Sequence, residues 1–193
     1  MICAFYCAFA PLRFFFLSMI GIIILFNSCA SIPQKAKPVE NFEVNRYLGT
    51  WYEVARFDFR FEKDLDNTSA NYTLDKKGNV IVLNSGYNFV KKKWSKADGL
   101  AKFRGDKNIA ALKVSFFGPF YSGYNVIALD ENYQYALIAG KNLDYLWILS
   151  RTKELPDEIK TEYLKIAEEI GYDTSRLIWV KHDKDDNPFL NEK

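Results

Sequence analysis

The sequence predicts an all-β protein: an eight-stranded antiparallel up-and-down barrel with one C-terminal α-helix packed outside. Two observations lead to this prediction. Short segments rich in aromatic and β-branched residues recur at fairly even spacing, and turn residues such as Asp75-Lys76-Lys77-Gly78 separate them. Near the C-terminus, one segment instead repeats its apolar residues at helical spacing.

Connections of hairpin length join the candidate strands, so neighbours along the chain are expected to pair antiparallel. Closing this meander into a barrel removes the exposed edges, and an eight-stranded barrel is just wide enough to hold one small ligand. The predicted strands are Thr50–Phe57, Thr68–Leu74, Asn79–Tyr87, Trp94–Phe103, Ile109–Phe116, Tyr124–Leu129, Tyr135–Gly140 and Tyr145–Ser150.

The helix is predicted over Pro156–Ile170, and Gly171 suits its C-terminal cap. A ninth short strand is predicted at Leu177–Val180, and the charged tail from His182 to Lys193 is expected to be frayed. The apolar face of the helix consists of Ile159, Tyr163, Ile166 and Ile170.

Charge and cysteine content exclude several classes of function. The 26 Lys and Arg residues nearly balance the 24 Asp and Glu residues, so the clustered basic excess typical of nucleic-acid binding is absent. The single histidine, His182, lies in the tail, which excludes a His-based metal site or catalytic triad. No metal and no cofactor are predicted.

The N-terminal segment has the layout of a secretory signal, since Arg13 precedes the apolar run Phe14–Phe26 and a small residue, Ser28, precedes Cys29. A cysteine at the cleavage position resembles a bacterial lipobox. Cys29 would then be the only cysteine of the mature chain, and no intramolecular disulfide could form. The predicted segments are a signal peptide over 1–28, a lipidated N-terminus and tether over 29–41, a folded domain over 42–183 and a polar tail over 184–193.

Two other interpretations of the leader stay open, namely an uncleaved N-terminal membrane anchor and a misassigned start. All three place the domain outside the cytoplasm. Ala30 is not the acidic residue that usually accompanies inner-membrane retention, so the outer membrane is predicted. No acidic run follows Cys29, which favours a domain that faces the periplasm.

Three motifs, in order, resemble the signatures of the lipocalin family. Gly49-Thr50-Trp51 fits the Gly-x-Trp signature, Asp130-Glu131-Asn132-Tyr133 fits the second and Arg151 fits the third. The resemblance extends from about Val39 to His182 and is closest to bacterial outer-membrane, apolipoprotein D-like lipocalins. It implies that Arg151 lies over the Trp51 indole at a closed end of the barrel. It also implies structural roles, rather than ligand contacts, for Gly49, Trp51, Asp130, Tyr133 and Arg151.

Ligand contacts follow from the resemblance and from strand alternation. The resemblance implies that Tyr72, Asn84 and Trp147 line the cup, and Leu149 shares the face of Trp147. Alternation leaves open whether the other inward residues line the cup or fill the core. Those residues are Leu112, Val114, Phe116, Tyr124 and Val126.

Two charged features have alternative interpretations. Alternation places Glu53 on the same face as Trp51 and Ala55, where its carboxylate could bind a head group or pair with a cation. Lys91-Lys92-Lys93 lies in a loop, and we expect it to be a solvated hairpin tip rather than a contact for anionic head groups.

The function that these features favour is lipid binding without catalysis. The resemblance implies an outer-membrane lipocalin, held by a lipid anchor, that binds or stores fatty acids or lysophospholipids in the maintenance of envelope lipids. A homodimer is possible. The alternatives are an interaction protein whose barrel is filled by its own side chains and, less favoured, an enzyme that modifies lipids.

Overall fold

The computed structural model describes residues 31–190, so the predicted signal peptide and Cys29 lie outside the described residues. The strands are β1 (Gly49–Phe57), β2 (Leu65–Leu74), β3 (Val80–Asn88), β4 (Lys93–Phe103), β5 (Ala111–Phe117), β6 (Phe120–Leu129), β7 (Tyr135–Ala139), β8 (Leu146–Ser150) and β9 (Leu177–Trp179). The helices are α1 (Val44–Tyr47) and α2 (Asp157–Ile170), and Thr174–Arg176 forms a 3₁₀ turn. Among residues 31–190, no helix has the length and apolar composition needed to cross a membrane.

The eight-stranded barrel is confirmed. Each strand from β2 to β8 pairs antiparallel with the next, and β1 pairs with both β2 and β8, which closes the barrel. The last residues of β1, Ala55–Phe57, pair with β9, which extends the sheet beyond the barrel. In the structure, β2 begins three residues and β6 four residues earlier than predicted. The first residues of β2 are mainly polar and those of β6 follow Pro119, so the residue pattern does not indicate where these strands begin.

The closed end of the barrel is the end at which β1 begins, and α1 and Arg151 fill it. The Trp51 side chain is fully buried there, and its indole N–H donates to the carbonyl oxygen of Tyr47 at 2.8 Å. The Arg151 guanidinium carbon lies 4.0 Å from the centroid of the Trp51 ring, which is the contact that the family resemblance implies. The helix α1 was not predicted, because four residues are too few to show a helical period.

Arg151 also ties three segments of the closed end together through backbone carbonyl oxygens. Its guanidinium donates to the carbonyl oxygens of Thr50 and Arg46, both at 2.8 Å, and of Tyr133 at 3.2 Å. Gly49, with a φ of 89°, gives the chain the left-handed turn that it needs beside this guanidinium. The three signature motifs therefore meet at one end of the barrel as structural elements.

The helix α2 packs against the outer face of β1, β7 and β8, where Tyr163 and Ala167 are its buried residues. The Tyr163 hydroxyl donates to the carbonyl oxygen of Tyr135 at 2.9 Å. Gly171, at a φ of 112°, donates its N–H to the last turn and caps the helix as predicted. The helix covers the outside of the barrel and leaves the interior free.

The prediction of a frayed tail is wrong for residues 182–190. These residues lie along the outside of β2 and β3, where Asn187 is only 9% exposed. The Asn187 side chain donates to the Ser85 hydroxyl at 2.9 Å, and the Lys184 N–H donates to the side-chain oxygen of Asn67 at 2.8 Å. A polar tail finds polar partners on the outer face of this barrel, and hydropathy alone does not reveal such pairing.

Replacing Arg151 with alanine is expected to lower the free energy of unfolding by about 2–4 kcal/mol, because the variant loses the cation–π contact and three hydrogen bonds. Arg151→Lys keeps the charge but not the planar set of donors. Its free energy of unfolding should therefore lie between those of Arg151→Ala and the unsubstituted protein. The midpoint of urea unfolding, followed by circular dichroism, measures this loss. Lys165→Ala, at an exposed position of α2, is the control. Equal midpoints for Arg151→Ala and the unsubstituted protein would contradict the structural role.

Candidate ligand-binding site

A cavity of about 910 Å³ occupies the barrel and opens at the end opposite the Arg151 plug. Its walls are mainly apolar, as in sites that hold lipophilic small molecules. Phe116 lines the cavity, whereas Val126 is fully buried in the core and does not reach it. All seven residues predicted as ligand contacts lie in the wall: Tyr72, Asn84, Leu112, Val114, Tyr124, Trp147 and Leu149.

Three tyrosine hydroxyls meet at the floor of the cavity. The Tyr124 hydroxyl lies 2.7 Å from that of Tyr47 and 2.9 Å from that of Tyr72. Burial raises the pKa of each of these hydroxyls, so all three stay protonated. The two bonds use two of the three hydroxyl protons. Tyr47 was not predicted, since it belongs to the short helix α1 rather than to a strand.

A β-bulge in β1 brings an arginine into the barrel. The pairing with β8 shifts between Glu53 and Ala55, and the extra residue reverses the alternation of side chains beyond it. Ala55 therefore packs beneath α2, and its predicted place beside Trp51 and Glu53 on the inner face is wrong. Arg56 takes the inward position instead, opposite Trp147 on β8, with only 3% of its surface exposed.

Arg56 is the cation that pairs with Glu53. An Arg56 Nη1 atom donates to Glu53 Oε1 at 2.9 Å, and the Thr68 hydroxyl donates to the same oxygen at 3.1 Å. Both side chains are almost completely buried. Pairing of Glu53 with a cation was one of the expectations, but the identity of the cation could not be predicted, because the bulge that turns Arg56 inward has no signal in the residue pattern.

Arg56 also fixes the β1–β2 loop, residues 58–64, against the mouth of the cavity. Its Nη2 atom donates to the carbonyl oxygens of Glu62 and Leu65 at 3.0 and 2.8 Å. From the neighbouring strand β8, the Trp147 indole N–H donates to Glu62 Oε2 at 3.1 Å, and the ring meets Phe59 edge-on. One buried guanidinium and one indole thus hold the loop that frames the opening.

The two carboxyl groups beside Arg56 differ in their protonation. Burial raises the pKa of Glu62 well above its usual value, and the charge on Glu53 raises it further. Burial also raises the pKa of Glu53, but its direct ion pair with Arg56 opposes this effect. Glu62 lies 3.9 Å from the guanidinium, so we assign the negative charge to Glu53 and the proton to Glu62. The Glu53–Arg56 ion pair itself adds no net charge to the wall at this point.

The arrangement suits an amphipathic ligand with a long apolar part. Its polar groups include the tyrosine floor, the Glu53–Arg56–Glu62 cluster and Asn84, whose side-chain oxygen has no hydrogen-bond partner among the described residues. Arg60, Lys96 and Lys141 also contribute to the lining, and most of the remaining wall is apolar. No three His, Cys, Asp or Glu side chains within residues 31–190 are placed to hold a metal ion.

A closed barrel with a plugged end, an apolar cup and a helix outside defines a small ligand-binding β-barrel protein. Residues 42–182 match a family model described as a lipocalin-like domain, and the chain belongs to the lipocalin family.

Named relatives include bacterial lipoproteins of the outer membrane. The chain is 52% identical to outer membrane lipoprotein Blc of Citrobacter freundii over 159 residues, which cover 82% of this chain and 90% of the relative. Blc of Escherichia coli (strain K12) is 50% identical over the same shares. Apolipoprotein D of Bos taurus is 40% identical over 140 residues, covering 65% of this chain and 69% of the relative. These names designate lipoproteins and an apolipoprotein rather than enzymes.

Among solved structures, insecticyanin from the tobacco hornworm Manduca sexta superposes with a TM-score of 0.62 at 24% identity. The match covers 76% of this chain and 84% of insecticyanin. At this level of identity the likeness shows the fold alone.

Replacing Glu62 with glutamine is expected to reduce the loss of stability at high pH. A carboxyl whose pKa is raised in the folded state stabilises fully below its unfolded pKa of about 4.3, and this contribution is lost as pH rises through the folded pKa. Glutamine keeps an acceptor for the Trp147 N–H without this titration. Urea midpoints at about pH 4.5, 6 and 8 measure the difference.

The two proteins should match near pH 4.5 and diverge above it, with Glu62→Gln the more stable. Glu40→Gln, at an exposed position, should follow the unsubstituted protein throughout. Parallel pH curves for Glu62→Gln and the unsubstituted protein would show that the Glu62 carboxyl is not protonated in the fold.

Proposed function

We propose that this lipocalin is anchored in the outer membrane through Cys29 and holds single-chain lipids, fatty acids or lysophospholipids, in its barrel. The observation that carries the proposal is the apolar cavity of about 910 Å³, open at one end and provided with a few polar groups. Such a cavity favours a ligand whose acyl chain leaves water, with a gain of about 0.8 kcal/mol for each buried methylene. The reaction class is binding, with no chemical step.

The polar groups support an amphipathic ligand rather than a plain hydrocarbon. The Glu53–Arg56–Glu62 cluster lies next to the loop at the mouth, where the head group of a ligand with its chain in the barrel would be. With Glu62 protonated, this wall would not repel an anionic head. The Asn84 oxygen offers one more acceptor to a hydroxyl or ammonium group.

The alternative of a filled barrel has no support in this cavity. Side chains fill the closed end as far as the tyrosine floor, and above the floor the barrel interior is open space that a ligand can enter. An interaction protein with a solid core would have no use for the polar groups in this wall. The proposed location in the outer membrane is supported by the Ser28-Cys29 leader and by the name of the Blc relatives.

Filling the cavity with a larger side chain is expected to shorten the acyl chain that fits best. In the unsubstituted protein, affinity for lysophosphatidylcholines should rise about fourfold with each methylene until the cavity is full. Val114→Phe projects a ring into the cavity, and it should weaken binding of the 18-carbon ligand by about fourfold or more while sparing short chains. Displacement of a fluorescent fatty acid measures these affinities.

The matched control is Lys113→Phe, one residue away on the outer face of the same strand. It should leave the chain-length profile unchanged. The proposal fails if no saturable binding occurs to a folded protein, or if both variants shift the profile equally.

Cys29 is expected to carry the anchor. Expressed with its leader in a Gram-negative host, the protein should incorporate labelled palmitate and sediment with the outer membrane, and Cys29→Ser should do neither. Cys7→Ser, within the predicted signal peptide, is the control and should remain labelled. Labelling that persists in Cys29→Ser would place the modification elsewhere.

A further inference from the structure

Within the part of the chain that the structure describes, the most exposed large apolar side chains surround the mouth of the barrel. Phe120, Phe117, Val90, Phe61 and Phe89 are 79%, 64%, 63%, 60% and 49% exposed, and no other large apolar side chain within residues 31–190 exceeds 43%. We call these five residues the apolar rim. A cluster of this kind on a protein surface marks a site of contact with another apolar surface.

The apolar rim is continuous with the interior of the cavity. Its members lie in or directly beside three neighbouring connections at the open end, β1–β2, β3–β4 and β5–β6. The rings of Phe61 and Phe117 lie 5.6 Å apart and join the first of these connections to the third. Phe61, Phe117 and Phe120 also line the cavity. An apolar chain that leaves the cavity therefore meets the rim before it meets bulk water.

Basic residues outnumber acidic ones beside the apolar rim, because Arg60, Lys63 and the three lysines of the β3–β4 hairpin stand against Asp58, Glu62 and Asp64. The β3–β4 hairpin carries Lys91, Lys92 and Lys93 with no acidic residue between Asn88 and Trp94. Arg60 lies 4.9 Å above the Phe61 ring in the β1–β2 loop. Exposed aromatic rings beside lysines fit the interface of a bilayer with anionic head groups.

The N-terminal segment, residues 31–42, runs along the barrel so that Ser31 lies toward the open end, where the apolar rim is. The Phe42 N–H bonds to Asn108 near the closed end, the Val39 N–H bonds to Val126 further along, and the Asn125 side chain donates to the carbonyl oxygen of Ser31 at 2.9 Å. A side chain at Gly123 would collide with that oxygen, so glycine lets the segment lie on β6.

Gly123 is three residues from Phe120, or about 10 Å along the strand. Cys29 precedes Ser31 by two residues, which span at most about 7 Å. A lipid on Cys29 would therefore enter a membrane close to the apolar rim.

We propose that the open end of the barrel docks onto the surface of the anionic bilayer that holds the anchor. The apolar rim lies in the interface, the lysines of the β3–β4 hairpin contact the head groups, and the mouth faces the lipid. The docking is inferred from the apolar rim and from the course of residues 31–42 along the barrel. Its consequence, exchange of a single-chain lipid between bilayer and cavity without passage through water, rests on the proposed function.

The orientation is tested on the acylated lipoprotein reconstituted into vesicles of phosphatidylethanolamine and phosphatidylglycerol. Because Cys29 is the only cysteine after the predicted signal peptide, a second cysteine gives a unique site for an environment-sensitive dye. Dye at Val90→Cys on the rim should be quenched at least twofold by lipids with a nitroxide in the acyl chain. Dye at Ile81→Cys, exposed on the outer face nearer the closed end, should not be quenched. Equal quenching, or none at either site, overturns the orientation.

A second measurement needs no anchor. Residues 31–193 include every contact of the described barrel and are expected to float with the same vesicles. The affinity should fall at least tenfold in Phe89→Ser/Val90→Ser, whose residues belong to the apolar rim but do not line the cavity. In Lys91→Gln/Lys92→Gln the affinity for the vesicles should also fall, and it should depend much less on salt concentration. Leu74→Ser/Ile81→Ser, which removes exposed apolar residues away from the mouth, is the matched control.

The outcomes separate docking from ligand binding. The docking is overturned if the rim variants float with vesicles as the control does. It is also overturned if the rim variants change self-association, measured by sedimentation, without changing flotation. Binding of oleate in the absence of vesicles is measured on the same variants and should be retained. If oleate does not bind but the rim-dependent flotation persists, the proposed function fails while the docking stands.

Discussion

The contact between the Arg151 guanidinium and the Trp51 indole closes one end of the barrel, and the arrangement of the interior follows from it. The cavity floor is stacked on this plug: the Tyr47 ring lies 4.8 Å from Trp51, and the Tyr72 ring lies 5.5 Å from Tyr47. Since that end is packed with side chains, the cavity opens at the other end. A ligand therefore has one direction of entry, and the single-chain lipid that we propose would reach the floor with its apolar end.

A second constraint acts at the mouth, where the structure buries an arginine and two carboxyl groups in a mainly apolar wall. Removing Arg56 would leave the Glu53 charge buried and without its cation, a change that typically costs about 3–5 kcal/mol. The same guanidinium holds the β1–β2 loop through two backbone carbonyl oxygens. One residue therefore neutralises the wall, positions part of the rim and brings the Glu62 carboxyl to Trp147. The framing of the opening depends on it.

The sequence predicted the barrel, the outer helix and the seven wall residues that alternation and resemblance indicated. These predictions succeed because inward and outward side chains alternate along every regular strand of a barrel, so the inward positions can be predicted from the sequence. The parts that were missed depend on departures from the pattern. A single bulge in β1 turned Arg56 inward and Ala55 outward, and Glu62 reaches the cavity from a loop whose course no periodicity encodes. The packing of Asn187 on β2 and β3 is likewise a tertiary match between polar groups.

The central claim is that an acyl chain occupies the barrel with its head at the mouth. Stearic acids that carry a nitroxide at carbon 5 or carbon 16 test it directly, because the nitroxide broadens the NMR signals of nearby residues. The account expects the carbon-16 label to broaden the floor residues Tyr72 and Tyr124, and the carbon-5 label to broaden Glu62 and its loop. Broadening confined to the outer face of the barrel, or the same pattern from both labels, would contradict it.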